Sequence, residues 1–344
     1  MRLLVAIAVI SFISLSPVCA ESQNSTITTT DPATKSILAS KSLLLDISPI
    51  GQEKLVAVGQ HGHILLSSDG EQWQQANVPV QVTLTSVYFL NDQLGWAVGH
   101  DATILHSKDG GLNWRVQQYL PSLQKPLLDI YFKNEQQGIA VGAYGQVFRS
   151  DDGGSTWLAE FHQEFLLADD IEYLSELKVE DEDAYLDEIS FILPHFNGLV
   201  QAGTTLFLLG EAGMLAKSND FGLTWQPFDG FYQGSFFSLA LTKSGDILIA
   251  GLRGHVFRGI NNGLQWDEIN TDTTSLLNDI VFTKDERIFI LGNNGMLLIS
   301  TDDGKNFTTY PQQDGRTLIA GVWFKERLIA VSDVGIKVLD LPKS

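Results

Sequence analysis

The stretch Ser150 to Trp157, SDDGGSTW, is one copy of a pattern, Ser-x-Asp-x-Gly-x-x-Trp, that recurs along the chain. SKDGGLNW (Ser107 to Trp114) and SNDFGLTW (Ser218 to Trp225) fit it fully, and STDDGKNF (Ser300 to Phe307) has Phe in place of Trp. GINNGLQW (Gly259 to Trp266) keeps the frame with Asn261 at the Asp position, and SSDGEQW (Ser67 to Trp73) is one residue shorter. These residue types make a tight turn. An Asp carboxylate accepts backbone N–H groups, Gly supplies a positive φ, and Ser adds a local hydroxyl bond. The Trp then anchors the next strand by burying a large ring. Asp69, Asp109, Asp152, Asp220 and Asp302, with Trp73, Trp114, Trp157, Trp225 and Trp266, are therefore expected to be structural.

Around each turn the same parts repeat. An apolar strand such as LTSVYF or LLDIYF is followed by a second strand ending near Gly, such as GWAVG or GIAVG. A third strand, such as TILHSK or QVFRSD, then leads into the Asp-rich turn and the Trp strand. Trp73 and Trp114 are 41 residues apart, Trp114 and Trp157 are 43 apart, and the interval from Trp157 to Trp225 is 68. Strand-length runs with punctuating turns at a period just over 40 predict an all-β, seven-bladed β-propeller with four-stranded blades. The units start near Leu43, Leu84, Leu127, Phe196, Phe236, Leu276 and Leu318, so the propeller spans 43–341. The seventh unit ends without a Trp strand. A closed ring leaves no open sheet edge, so a segment within Ser25 to Ser36 is expected to supply the outer strand of the last blade. Residues 21–42 otherwise read as a linker.

Residues 1–20 stand apart. Arg2 precedes an almost unbroken apolar run, Leu3 to Leu15, which Pro17 breaks before the small residue Ala20. This reads as a Sec signal peptide cleaved after Ala20, which makes the mature chain an exported, periplasmic protein. The run is too short for a comfortable transmembrane helix, and no direct membrane insertion is expected. Cleavage there removes Cys19, the chain's single cysteine, and with it disulfide and thiolate chemistry. A formal net charge of −19 argues against nucleic acid and anionic membrane surfaces as main partners. A monomer is expected.

The long interval holds an insertion, about 162–194, between blades three and four. From Glu160 to Ser190 there are twelve acids and one Lys. Leu167, Ile171, Leu174 and Leu177 fall near one face of a short helix, and Glu180 to Ile189 suits a second short one. Strand parity puts this blade-to-blade connection on the face opposite the Asp-rich turns. The turns after each second strand share that face, and their residues vary from blade to blade while the frame repeats. Varying tips on a repeated frame are candidate function. His61, His100, Asp101, Tyr144, Glu211, Arg253, Asn293 and Asp333 at the tips, with Glu180, Asp181, Glu182 and Asp183 in the insertion, are the candidate partner-binding residues.

Catalytic and metal chemistry find little footing. His61 and His100 occupy equivalent tips with Asp101 beside one, but no tight local spacing supports a metal site, and no cofactor is expected. The insertion lacks the alternating acidic loop of a calcium site. The Asp-rich turn resembles the Asp-box, or bacterial neuraminidase repeat, of sialidases and other propeller glycosidases, which makes a carbohydrate-active enzyme or lectin the alternative reading. In those families the box is a structural turn remote from the central pocket, and no arginine-bearing motif of the sialidase kind appears here.

WAVGHDATILHSKDGGLNW (Trp96 to Trp114) and IAVGAYGQVFRSDDGGSTW (Ile139 to Trp157) resemble the photosystem II stability/assembly factor family of seven-bladed propellers. The resemblance implies a scaffold or assembly factor with a protein partner in a membrane complex and with no catalysis or cofactor. Its photosynthetic members lie in the thylakoid lumen, the alternative location. With a simple leader and Arg253 as the one tip arginine, the chain looks most like the exported envelope relatives of non-photosynthetic bacteria.

Overall fold

The computed structural model describes residues 30–342 and folds them into seven antiparallel sheets, each meeting the next through its innermost strand until the first meets the last. The innermost strands are Leu44–Ile50, Leu84–Phe89, Leu127–Phe132, Phe196–Ala202, Phe236–Leu241, Leu277–Phe282 and Leu318–Phe324. Six sheets have four strands in chain order, and the seventh has three. The blade count and register expected from the repeat period are therefore those of the molecule. The second strands (Lys54–Gly59, Gly95–Gly99 and Gly138–Gly142 in the first three blades) are buried nearly end to end, because each lies between two neighbouring blades. That double burial explains their continuous apolar runs, where a half-exposed strand alternates. Phe132, Phe196, Phe236 and Phe289 are fully buried at the blade junctions, each contributing about 2–3 kcal/mol of apolar burial.

Closure differs from the sequence expectation. Thr30–Ser36 forms no strand and runs along blade one, not blade seven. The Ala33 amide donates to Val78 O at 3.0 Å, and Lys35 Nζ donates to Gln75 O and Ala76 O, each at 2.7 Å. Residues 25–29 of the expected closing segment lie outside the described residues, as does the leader 1–20. Blades seven and one are joined by packing instead. Leu44, Ile47, Leu55 and Ala57 of blade one share a core with Phe324, Ile329 and Val331 of blade seven. Arg327 adds an ion pair to Glu71 at 2.5 Å and a bond to Asp69 O, carrying blade seven onto the first Asp-rich turn.

That turn has the bonding expected of it. In blade three, Ser150 Oγ donates to Asp152 Oδ1 at 2.9 Å and accepts from the Gly154 amide at 2.8 Å. The Thr156 amide and hydroxyl then donate to the two oxygens of Asp152, at 2.8 and 2.7 Å. Asp109, Asp220 and Asp302 accept the same way, and Asp69 does so in its shorter loop. Partial burial acts to raise the Asp302 carboxyl, but the Asn306 side chain and backbone, Ser300 and Lys305 outweigh it and hold it at about 2. Blade five departs from the frame. Asn261 and Asn262 are both left-handed, and the hairpin ladder extends to Ile260 and Gln265. Replacing Asp152 with Ala removes both acceptors of one turn. We expect a loss of about 1–2 kcal/mol, read as a lower Tm.

The innermost strands carry a feature the repeat period does not reveal. Each has a β-bulge near its start, and the residue just past the bulge faces the channel: Asp46, Ser86, Asp129, Gly198, Ser238, Asp279 and Ala320. The three carboxyls clasp neighbouring blades. Asp46 Oδ2 accepts from the Val87 amide at 2.8 Å, Asp129 Oδ2 from the Leu199 amide at 2.8 Å, and Asp279 Oδ2 from the Gly321 amide at 2.9 Å. Ser86 Oγ lies between Asp46 and Asp129, at 3.1 and 2.9 Å. Burial, with a smaller contribution from the Asp46 charge, pushes Asp129 up to about 6 and Asp279 up to about 7.

Candidate partner-binding face

The tips after the second strands have one backbone in most blades. His61, Tyr144, Arg253 and Asn294 are each left-handed, with φ between 55 and 59°, and each is followed by a left-handed Gly. Ala212-Gly213 repeats this, and Asp101-Ala102 does so with Ala in the glycine place. At Gly62 the constraint is steric as well as torsional: a Cβ would sit 2.1 Å from Val80 O. The residue before it is lifted onto the face by the same turn. Holding a non-Gly residue left-handed costs on the order of 1 kcal/mol, sustained here by the surrounding ladder.

This geometry refines the candidate list. His61, Tyr144 and Arg253 occupy the projecting position, as does Asp101, with His100 exposed beside it. Glu211 precedes the projecting Ala212, and its carboxylate lies 3.6 Å from His195 Nδ1. Asn293 faces inward, its Oδ1 accepting from Asn278 Nδ2 at 3.0 Å, and Asn294 takes the exposed place. Asp333 is exposed and pairs with Arg316 at 3.4 Å. Ala212 and Asn294 share the projecting position, which the residue before Gly marks in five of the tips. A cavity of about 210 Å³ lies beside the first tip, between His61, His63, Gln81 and the crossing segment at Thr34 and Ser36. His63 Nδ1 is tied to Ser42 Oγ at 3.0 Å, and burial lowers its pKa. Among the described residues no three His, Cys, Asp or Glu side chains gather as a metal site.

The insertion is two helices, α1 (Ala168–Glu180) and α2 (Glu182–Ile189), packed on each other. The predicted apolar face is not a buried one: Leu174 is buried, while Leu167 and Ile171 are exposed. Tyr173, Val179, Leu186 and Phe191 are exposed as well. The hairpin therefore presents apolar side chains among its acids. Glu180, Glu182 and Asp183 are exposed, whereas the Asp181 carboxylate caps α2 by accepting from the Ala184 amide at 3.0 Å.

Both roots of the hairpin are anchored in the propeller. At its start, His162 Nδ1 is 3.0 Å from Glu164 and Nε2 is 3.4 Å from Glu160, whose carboxylate also pairs with Arg149 at 2.6 Å. Burial works against a charged His162, but the two glutamates outweigh it and raise its pKa. At its end, Lys125 Nζ donates to Ser190 O and lies 3.9 Å from the Phe191 ring centroid. Phe191 meets the tip residue Tyr144 edge-on at 5.1 Å, and Tyr144 meets His195 at 4.5 Å. Leu193 fills the space beside Gly145, where a Cβ would lie 2.4 Å from it. The insertion and the tips of blades three and four thus form one surface. Lys125, Phe191 and His195, which make the junction, carried no sequence signal beyond lying near a turn or the insertion's end.

A family model described as the photosynthesis system II assembly factor YCF48 matches residues 65–125. Two curated relatives, both called photosystem II assembly protein Ycf48, come from Synechococcus strains. One, from strain JA-2-3B'a(2-13), is 46% identical over 54 residues, covering 15% of this chain and 16% of the relative. The other, from strain JA-3-3Ab, is 48% identical over 48 residues, covering 13% and 14%. The matched stretch is thus about a sixth of those relatives' length. Among solved structures, YCF48 bound to D1 peptide has a TM-score of 0.66 at 18% identity, over 88% of this chain and 95% of that one. YCF48 from Cyanidioschyzon merolae has a TM-score of 0.64 at 18% identity, over 86% and 95%. At these identities the likeness to solved structures establishes the fold.

Proposed function

We propose that this photosystem II assembly factor-like propeller is a non-catalytic scaffold that binds a protein partner through the face carrying the tips and the acidic hairpin. The observation that carries the reading is the junction of Lys125, Tyr144, Phe191 and His195, which joins hairpin and tips into one continuous surface. Acids interleaved with exposed apolar side chains suit a partner segment that is basic and amphipathic. A YCF48 structure holding a D1 peptide supports a protein partner for this fold. The channel carboxyls favour the scaffold over a glycosidase: each accepts backbone or Ser donors from adjacent blades, so each already has a structural task. The leader at 1–20 supports export to the periplasm, and the partner then belongs to an envelope membrane complex.

Crosslinking the intact protein in membranes of its own host and identifying its neighbours tests this reading. Recovery of a specific membrane-complex subunit is expected. Recovery of none, together with hydrolysis of a glycoside panel, contradicts it.

A further inference from the structure

We propose a second binding site on the opposite face: a cleft between blades four and five that takes an amphiphilic carboxylate, its head on Lys217 and its short apolar tail inside. The same strand position in other blades provides the internal control. Arg149 in blade three and Arg258 in blade five lie on third strands, in register with Ile139 and Leu248 of the second strands. Each reaches across to the Asp-rich turn of the next blade. Arg149 donates to Phe221 O and Gly222 O, both at 2.8 Å, and Arg258 donates to Asp303 O. Each arginine so fills the gap between its own blade and the next.

Lys217 holds this position in blade four, in register with Phe207. The turn it faces is the divergent one, where Gly259 and Asn261 replace the Ser and Asp of the frame and Asn262 corresponds to Phe221 and Asp303. A cavity of about 310 Å³ remains. Phe207, Leu241 and Ile247 supply its apolar lining, and Lys217, Asn219 and Asn262 its polar lining. Thr205 Oγ1 donates to Asn219 Oδ1 at 2.9 Å, which directs the Asn219 amide nitrogen away from Thr205, and among the described residues that nitrogen has no acceptor. Among the described residues no acid lines the cleft. Lys217 is half-buried as a residue, and among the described residues its ammonium has no carboxylate or carbonyl acceptor; its near companion is the Phe228 ring at 5.1 Å. A cation at the mouth of a cleft with no anion beside it can take one from the ligand. The two amides suit a planar carboxylate, and the apolar lining selects a hydrocarbon tail over a compact hydrated anion.

Sodium hexanoate is the probe, titrated into the intact mature protein by ligand-observed NMR, with 1-hexanol and inorganic phosphate as controls. Saturable binding with a Kd on the order of 1 mM is expected, as suits a ligand of about eight heavy atoms. Lys217→Met weakens it at least ~10-fold, the scale of one lost charge-assisted contact. Lys217→Arg, long enough to reach the next turn as Arg149 and Arg258 do, seals the cleft and abolishes binding with a Tm no lower than wild type. Absence of saturation, equal binding by 1-hexanol or phosphate, or undiminished binding by folded Lys217→Met overturns the proposal.

Discussion

Raising the pH from 5 to 8 draws stability out of the channel, and Asp279→Asn removes most of that loss. Burial raises Asp279 to about 7 and Asp129 to about 6, and it raises Asp46 as well. A carboxyl whose folded-state pKa lies above its unfolded value keeps a proton that the unfolded chain has already lost. Its stabilising contribution is therefore complete at low pH and disappears as the pH climbs through the folded value. At about 1.4 kcal/mol per pH unit, Asp279 accounts for on the order of 3 kcal/mol across this window and Asp129 for on the order of 1. The aspartates of the Asp-rich turns are lowered, so their contribution is fully present throughout the window and falls away only in stronger acid.

Histidines add terms of both signs. His162 is raised and acts with the channel acids, while His63 and His106 are lowered by burial and act against them. The difference between wild type and Asp279→Asn isolates the carboxyl from this background. Thermal melts should cross: the Asn variant melts higher than wild type at pH 8, where an ionised Asp279 is desolvated, and no higher at pH 5. Parallel curves would show that Asp279 does not titrate in this range.

The channel acids illustrate what the sequence conceals. Leu-Leu-Asp-Ile at Leu44 and Leu127 and Leu-Asn-Asp-Ile at Leu277 recur at blade period, so the repeat was visible. Its meaning was not, because an Asp within an apolar run reads as the exposed side of a strand. The bulge turns that position toward the channel and the neighbouring backbone, and a bulge leaves no trace in period-two patterning. The blades were legible because turn, strand and aromatic anchor recur together, so six copies, five with Trp and one with Phe, vote on one register. The N-terminal segment has no such support. Its β-branched residues suited an edge strand, yet Lys35 and Ala33 find their acceptors on blade one. In the insertion, helix and charge were legible, but burial was not. Leu167 and Ile171 keep the expected spacing and remain exposed because the hairpin is held by its roots, through His162 and Phe191.

That exposure bears directly on function. A hairpin packed down by its apolar face would present acids alone, whereas this one presents Tyr173, Val179, Leu186 and Phe191 among them. Apolar contact contributes affinity at an interface core and charge sets approach and orientation, so both should be needed for capture. The capping role of Asp181 determines how the charge is tested. Reversing it would unwind the start of α2 and confuse loss of fold with loss of binding.

The most direct measurement is therefore capture of the protein partner identified by crosslinking by a triple variant, Glu180→Lys, Glu182→Lys and Asp183→Lys, with Asp181 retained. The expected result is a loss of at least ~10-fold in captured partner at low salt, with the Tm within a few degrees of wild type. Undiminished capture by the folded variant would contradict the assignment of this face as the binding surface.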